Sequence, residues 1–182
     1  MKLSKELVRI HAHLCGDGGV YVYKTSENDR INRASIAYFN NNISLIKSFR
    51  EDMFKVFNVK MTFLERKNRL QVQSIRIARA LLALSKYGSR EWRIPKIIKR
   101  SRRELKLEWI KAFCLDEGYL PSDRNWIRIK CMNFKGLNDL KDMLNSLNIK
   151  STLTGPNCDA SYYLNIKKMA ELECFTKKKM RK

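Results

Sequence analysis

Apolar positions recur along this chain with two alternating periods. Over residues 3–15 they fall at Leu3, Leu7, Ile10 and Leu14, the spacing of one helix face, and Gly16-Asp17-Gly18-Gly19 stops the run. A period of two then predicts strands over 20–24 and 31–39, joined by the polar loop 25–30. A helix follows over 43–57, with Leu45, Ile46, Phe49, Met53, Phe54 and Phe57 on one broad face. Strands at 59–64 and 70–74 make a second hairpin across 65–69. A closing helix over 75–87 ends at Gly88, and a basic connector containing Pro95 runs to 103.

The same order then returns. It predicts helix over 104–115, strands at 119–120 and 126–132, helix over 137–147, strands at 149–154 and 162–166, and helix over 168–175. Each half reads αββαββα, an α+β class, with units at 1–90 and 104–182 around a linker at 91–103. The repeat extends to residues. Asp52-Met53-Phe54-Lys55-Val56-Phe57-Asn58-Val59-Lys60 matches Asp142-Met143-Leu144-Asn145-Ser146-Leu147-Asn148-Ile149-Lys150 by identity or conservative exchange at most positions. Ile10 to Gly18 (IHAHLCGDG) parallels Ile110 to Gly118 (IKAFCLDEG), each an apolar helical stretch ending in an acidic residue and glycine, with Ala12 and Ala112 in register.

Charge narrows the partner. Lys and Arg number 38 against 18 Asp and Glu, a formal net charge of +20 over 182 residues, while hydrophobic residues at 44% suffice for a core. Such a charge repels itself unless a polyanion is the partner, and releasing counterions from phosphates makes nucleic acid the natural one. A membrane surface is the competing polyanion. No run of about 18 apolar residues is present, and no basic amphipathic helix keeps an apolar face after core burial. The first 18 residues carry charges and two histidines rather than a secretory apolar core, so an intracellular location is expected, cytoplasmic or organellar. The five cysteines are odd in number and form no C-x-x-C pair, which argues for reduced thiols rather than zinc or disulfides.

The two acidic-Gly motif helices, the αββαββα halves and the Trp92-Arg93-Ile94-Pro95 connector resemble the LAGLIDADG homing endonucleases of the single-chain, two-motif type. The resemblance covers essentially the whole chain. It implies two pseudo-twofold related halves whose motif helices pack side by side and whose curved antiparallel sheets form a saddle over double-stranded DNA. It also implies a monomer, often intron-encoded, that hydrolyses one strand per metal site across the minor groove and leaves short 3′ overhangs.

Asp17 and Glu117 would then be catalytic and metal-ligating, since hard carboxylate oxygens suit Mg²⁺, with Mn²⁺ able to serve and Ca²⁺ as a non-catalytic substitute. Gly16 and Asp116, beside them in sequence, complete the expected metal set. Ala12 and Gly16 give the first helix the small residues that close packing requires. Asp116 stands where the family prefers a small residue, which predicts looser packing of the second helix or a carboxylate reaching solvent. His11 and His13, two apart, face different directions, one packed and one exposed. Basic residues after each closing helix, Lys86 with Arg90 and Lys177 with Lys178, would polarise the phosphate.

Base readout falls to the strands and their loops. The first strand offers either Tyr21 and Tyr23 or Val20, Val22 and Lys24. Asn28, Arg30, Asn32, Arg33 and Ser35 follow, then Arg66, Arg69, Gln71 and Gln73, the linker's Arg100, and in the second half Arg124, Asn125, Arg128 and Lys130. A basic domain that binds DNA as a regulator, or intron RNA as a maturase, without cutting is the alternative.

Overall fold

The computed structural model describes residues 2–24, 33–120 and 125–167. The first lobe runs α1 (Lys5–Cys15), β1 (Gly18–Tyr23), β2 (Arg33–Phe39), α2 (Ile43–Phe57), β3 (Thr62–Leu64), β4 (Arg69–Gln73) and α3 (Ile75–Leu82). A single turn, α4 (Lys96–Lys99), interrupts the linker. The second lobe runs α5 (Arg103–Glu117), β5 (Gly118–Tyr119), β6 (Trp126–Cys131), α6 (Phe134–Asn145), β7 (Ser151–Thr154) and β8 (Tyr162–Lys167). The helix expected over 168–175 lies outside the described residues.

Local chemistry accounts for the helix ends. Ser4, Asn42, Ser74 and Asn133 each cap an N-terminus by accepting a backbone N–H two or three residues on. The repeated asparagines of the two matching segments, Asn58 and Asn148, both take left-handed backbone, at φ 52° and 60°. Asparagine tolerates that region better than most residues, so the repeat encodes the stop after each long helix. The helix predicted to reach Tyr87 ends earlier, because Tyr87 folds back. Its hydroxyl donates to the Leu81 carbonyl at 3.3 Å and its ring packs on His11.

Both sheets are fully antiparallel and share one strand order, β1-β2-β4-β3 and β5-β6-β8-β7. One face of each carries the apolar row: Ile36, Tyr38 and Leu70 in the first, Ile127, Ile129, Leu164 and Ile166 in the second, all buried. The linker is pinned to this core from two sides. Trp92 packs on Trp109 and Phe113 and lies against Gly136, where a Cβ would stand 2.5 Å from its ring. Buried Asp139 accepts from Arg93 Nε (2.6 Å), Lys99 Nζ (2.6 Å) and the Ile94 backbone N–H (3.2 Å). No helix among the described residues is long and apolar enough to cross a membrane.

The motif helices α1 and α5 meet through polar pairs as well as small residues. Both histidines are buried, against the expectation that one reaches solvent, because each finds a partner on α5. Trp109 Nε1 donates to His11 Nδ1 at 2.9 Å, so the imidazole must present a lone pair there. Burial pushes the His11 pKa down to about 3, whereas an unfolded histidine titrates near 6.5. Between these values the unfolded chain binds a proton that the folded chain refuses. Stability from neutral His11 is therefore complete above roughly pH 6.5 and is lost as pH falls toward 3. Moving from pH 7 to 4 is expected to cost on the order of 3 kcal/mol through this group. Urea unfolding at both pH values, for the wild type and His11→Gln, checks it; an equal pH slope in the two proteins would refute the assignment.

Candidate metal site and nucleic-acid interface

Each motif helix delivers one half-buried carboxylate to the same place in its lobe. Asp17 lies between the end of α1 and the start of β1; Glu117 is the last residue of α5, directly before β5. The glycine after each acid is a steric requirement, because the strand doubles back on the helix's final turn. A Cβ at Gly118 would stand 2.4 Å from the Cys114 carbonyl oxygen, and one at Gly18 would stand 3.0 Å from that of His13. At Gly16 the first helix end lies close against the second helix: a Cβ there would stand 2.9 Å from the Cβ of Asp116.

Asn40, which sequence reasoning passed over inside an Asn-Asn-Asn run, holds Asp17. Its Nδ2 donates to Asp17 Oδ2 at 2.8 Å while its Oδ1 accepts from the Asn42 backbone N–H at 2.8 Å, which fixes the amide's orientation. The Phe39 N–H donates to the Asp17 carbonyl at 2.9 Å. Glu117 lies near Cys131, whose thiol is held above its ordinary pKa by burial, with the Glu117 charge adding to the effect. That thiol stays protonated and offers no soft thiolate. The donor set at the two helix ends is hard oxygen, which fits a divalent ion of the Mg²⁺, Mn²⁺ or Ca²⁺ kind.

Asp116 departs from expectation. It does not reach solvent. Its side chain is fully buried, accepting from Tyr38 OH at 2.8 Å and pairing with His13 Nδ1 at 2.9 Å. Asn40 Nδ2 is 3.4 Å away. Engaged this way, the carboxylate ties α5 to α1 and to β2. The Tyr38 hydroxyl remains a donor, since burial and the adjacent Asp116 push its pKa far up. Lys86 stands in the exposed loop after α3 with its ammonium 3.9 Å from Glu91. Lys177 lies outside the described residues.

Strand register decides which side chains share the open face of each sheet. In the first lobe Tyr21, Ser35 and Gln73 form one cross-strand row, in which Ser35 on the inner strand is buried, and Tyr23 pairs with Arg33. Val20 instead pairs with Ile36 on the core side and is buried, whereas Tyr21, Val22, Tyr23 and Lys24 are all exposed. Gln71 and Arg69 belong to the same open face, Arg69 with its guanidinium 5.2 Å from the Phe39 ring centre. Arg66 is exposed at the β3–β4 turn, Lys24 just past β1, and Arg100 at the end of α4. Asn28, Arg30, Asn32 and Arg124 lie outside the described residues.

In the second lobe Tyr119, Arg128, Asn165 and Thr152 make one row, and Lys130, Tyr163 and Thr154 another. Trp126 and Lys167 complete the face. Sequence reasoning missed Tyr163, Asn165 and Lys167, although their alternation with Leu164 and Ile166 was the available signal. Both open faces thus carry cations among aromatic rings and amides.

No family model matches the chain, and no curated protein does. Solved structures do. The homing endonuclease I-DmoI in complex with DNA and Mn superposes with a TM-score of 0.70 at 19% identity, over 90% of this chain and 89% of that one. The homing endonuclease I-WcaI bound to its DNA recognition sequence gives 0.57 at 10% identity, over 98% and 83%. The N-terminal LAGLIDADG domain of DUF199/WhiA gives 0.53 at 11% identity, over 95% and 82%. The likeness at these identities is one of architecture: the chain has the two-lobed fold of the LAGLIDADG homing endonucleases.

Proposed function

We propose that this protein is a site-specific endonuclease that hydrolyses double-stranded DNA with a divalent metal. The observation that carries this reading is the placement of Asp17 and Glu117 at matching ends of two paired helices, each beside a sheet whose open face is basic, aromatic and amide-rich. I-DmoI, whose fold this chain shares, has been solved with its target DNA and with Mn, Ca or Mg, which supports the partner and the class of ion.

Asp17 and Glu117 would hold the ion. When bound, it supplies Lewis-acid stabilisation of phosphoryl charge and an acidified water. The chain's own residues do the rest. Asn40 fixes the Asp17 carboxylate, and the interlocked helices α1 and α5 set the spacing of the two acids. The open sheet faces place the duplex, with cations contacting phosphates and amides or guanidinia reading base edges.

The test is to incubate the protein with a randomised duplex library, with Mg²⁺ or with EDTA, and to sequence the ends produced. Discrete ends that require Mg²⁺ are expected. Salt-sensitive binding without any cut, in Mg²⁺ or Mn²⁺, would replace the enzyme with a DNA-binding regulator. A preference for structured RNA over duplex in competition would favour a maturase.

A further inference from the structure

We infer that Arg128 is a guanine reader, fixing a G at one defined position of the target's second half-site. The inference rests on the DNA-facing role proposed above and adds a base to it. Arg128 is half-buried in β6, an inner strand of the second sheet, not in an edge strand or a loop. Its guanidinium carbon is 4.4 Å from the Trp126 ring centre and 4.9 Å from that of Tyr163. Its Nε donates to Asn165 Oδ1 at 3.1 Å. Asn165 is its direct cross-strand neighbour, and both rings come from the same two strands on the same face.

A surface arginine ordinarily spreads over many rotamers, and ordering it on binding opposes affinity. Here two rings and an amide have ordered it already. With Nε committed to Asn165, the donors that remain are those of the two terminal nitrogens. Two parallel N–H donors match the O6 and N7 acceptors of guanine in the major groove. Adenine sets a donor beside its N7, cytosine presents a donor, and thymine presents one acceptor and a methyl group, so none of them offers the pair. A lysine is a point charge and carries no such fork.

The experiment is selection of bound sequences from a randomised duplex library in Ca²⁺, for the wild type, Arg128→Lys, Arg128→Gln and Trp126→Ala, with a salt titration of each on the selected site. The wild type is expected to prefer G roughly 10-fold or more at one position. Arg128→Lys and Arg128→Gln should drop that preference below about two-fold while leaving the other positions unchanged. Trp126→Ala, which keeps the charge and removes a platform, should weaken it partway. If the Arg128 variants instead bind every sequence more weakly by a common factor, with the salt slope reduced by about one, Arg128 contacts a phosphate and the inference fails. If the wild type binds no duplex at all, the DNA reading itself fails, and this assignment with it.

Discussion

Asp17→Asn or Glu117→Gln is expected to abolish double-strand cleavage, by a factor of about 10³ or more, while the duplex dissociation constant stays within about three-fold of the wild type or tightens. The two halves of this expectation come from different physics. Each amide keeps the size of the carboxyl group it replaces, and the amide oxygen introduced by Asp17→Asn could still accept the bond from Asn40. What is lost is the anionic hard-oxygen donor on which a divalent ion depends. Affinity comes mainly from elsewhere, from the cations of a +20 chain, so the loss of one acid leaves most of the attraction to phosphate in place. Cleavage of the selected site, filter binding in Ca²⁺ and a thermal melt of each variant together decide the matter. Unimpaired cutting would remove these residues from the chemistry. A melt lowered in step with activity would make them structural.

The repeat made most of this architecture legible. Period-2 and period-3.6 stretches fixed the alternation of elements, and two matched segments carried their own punctuation in Asn58 and Asn148. The acidic-Gly pairs pointed to the two carboxylates, since a glycine is needed wherever a strand turns against the helix it leaves. What stayed hidden were partnerships between distant positions. Nothing local distinguishes Asn40 from Asn41 or Asn42, yet it is Asn40 that reaches Asp17. The row that joins Arg128 to Asn165 depends on a register set 37 residues away. Asp116 looked like a defect by pattern, because its partner His13 belongs to the other motif helix.

Asp116 carries the second large expectation. Asp116→Ala should lower unfolding free energy by about 3–5 kcal/mol, since it strands the buried Tyr38 hydroxyl and the His13 ring nitrogen without their partner and opens a gap where α5 lies against Gly16. If the residue were merely tolerated where a small one belongs, the loss would fall below about 1 kcal/mol. The paired variant separates the two views. Combining His13→Ala with Asp116→Ala removes both polar partners and places small residues on both helices, so the stranded His13 nitrogen no longer contributes to the loss. Its cost should therefore be smaller than the sum of the two single changes by at least about 1 kcal/mol, the mark of a coupled pair. Equilibrium unfolding in urea gives all four corners of this cycle. Strict additivity would mean that His13 and Asp116 do not stabilise each other, and that the carboxylate is held by Tyr38 and its other partners instead. Because Asp116 precedes Glu117 and shares Asn40 with Asp17, the same cycle measured on cleavage rate reports whether locking the helices also sets the two acids. Recovered stability with unrecovered cutting would show that the buried carboxylate positions the site as well as the fold.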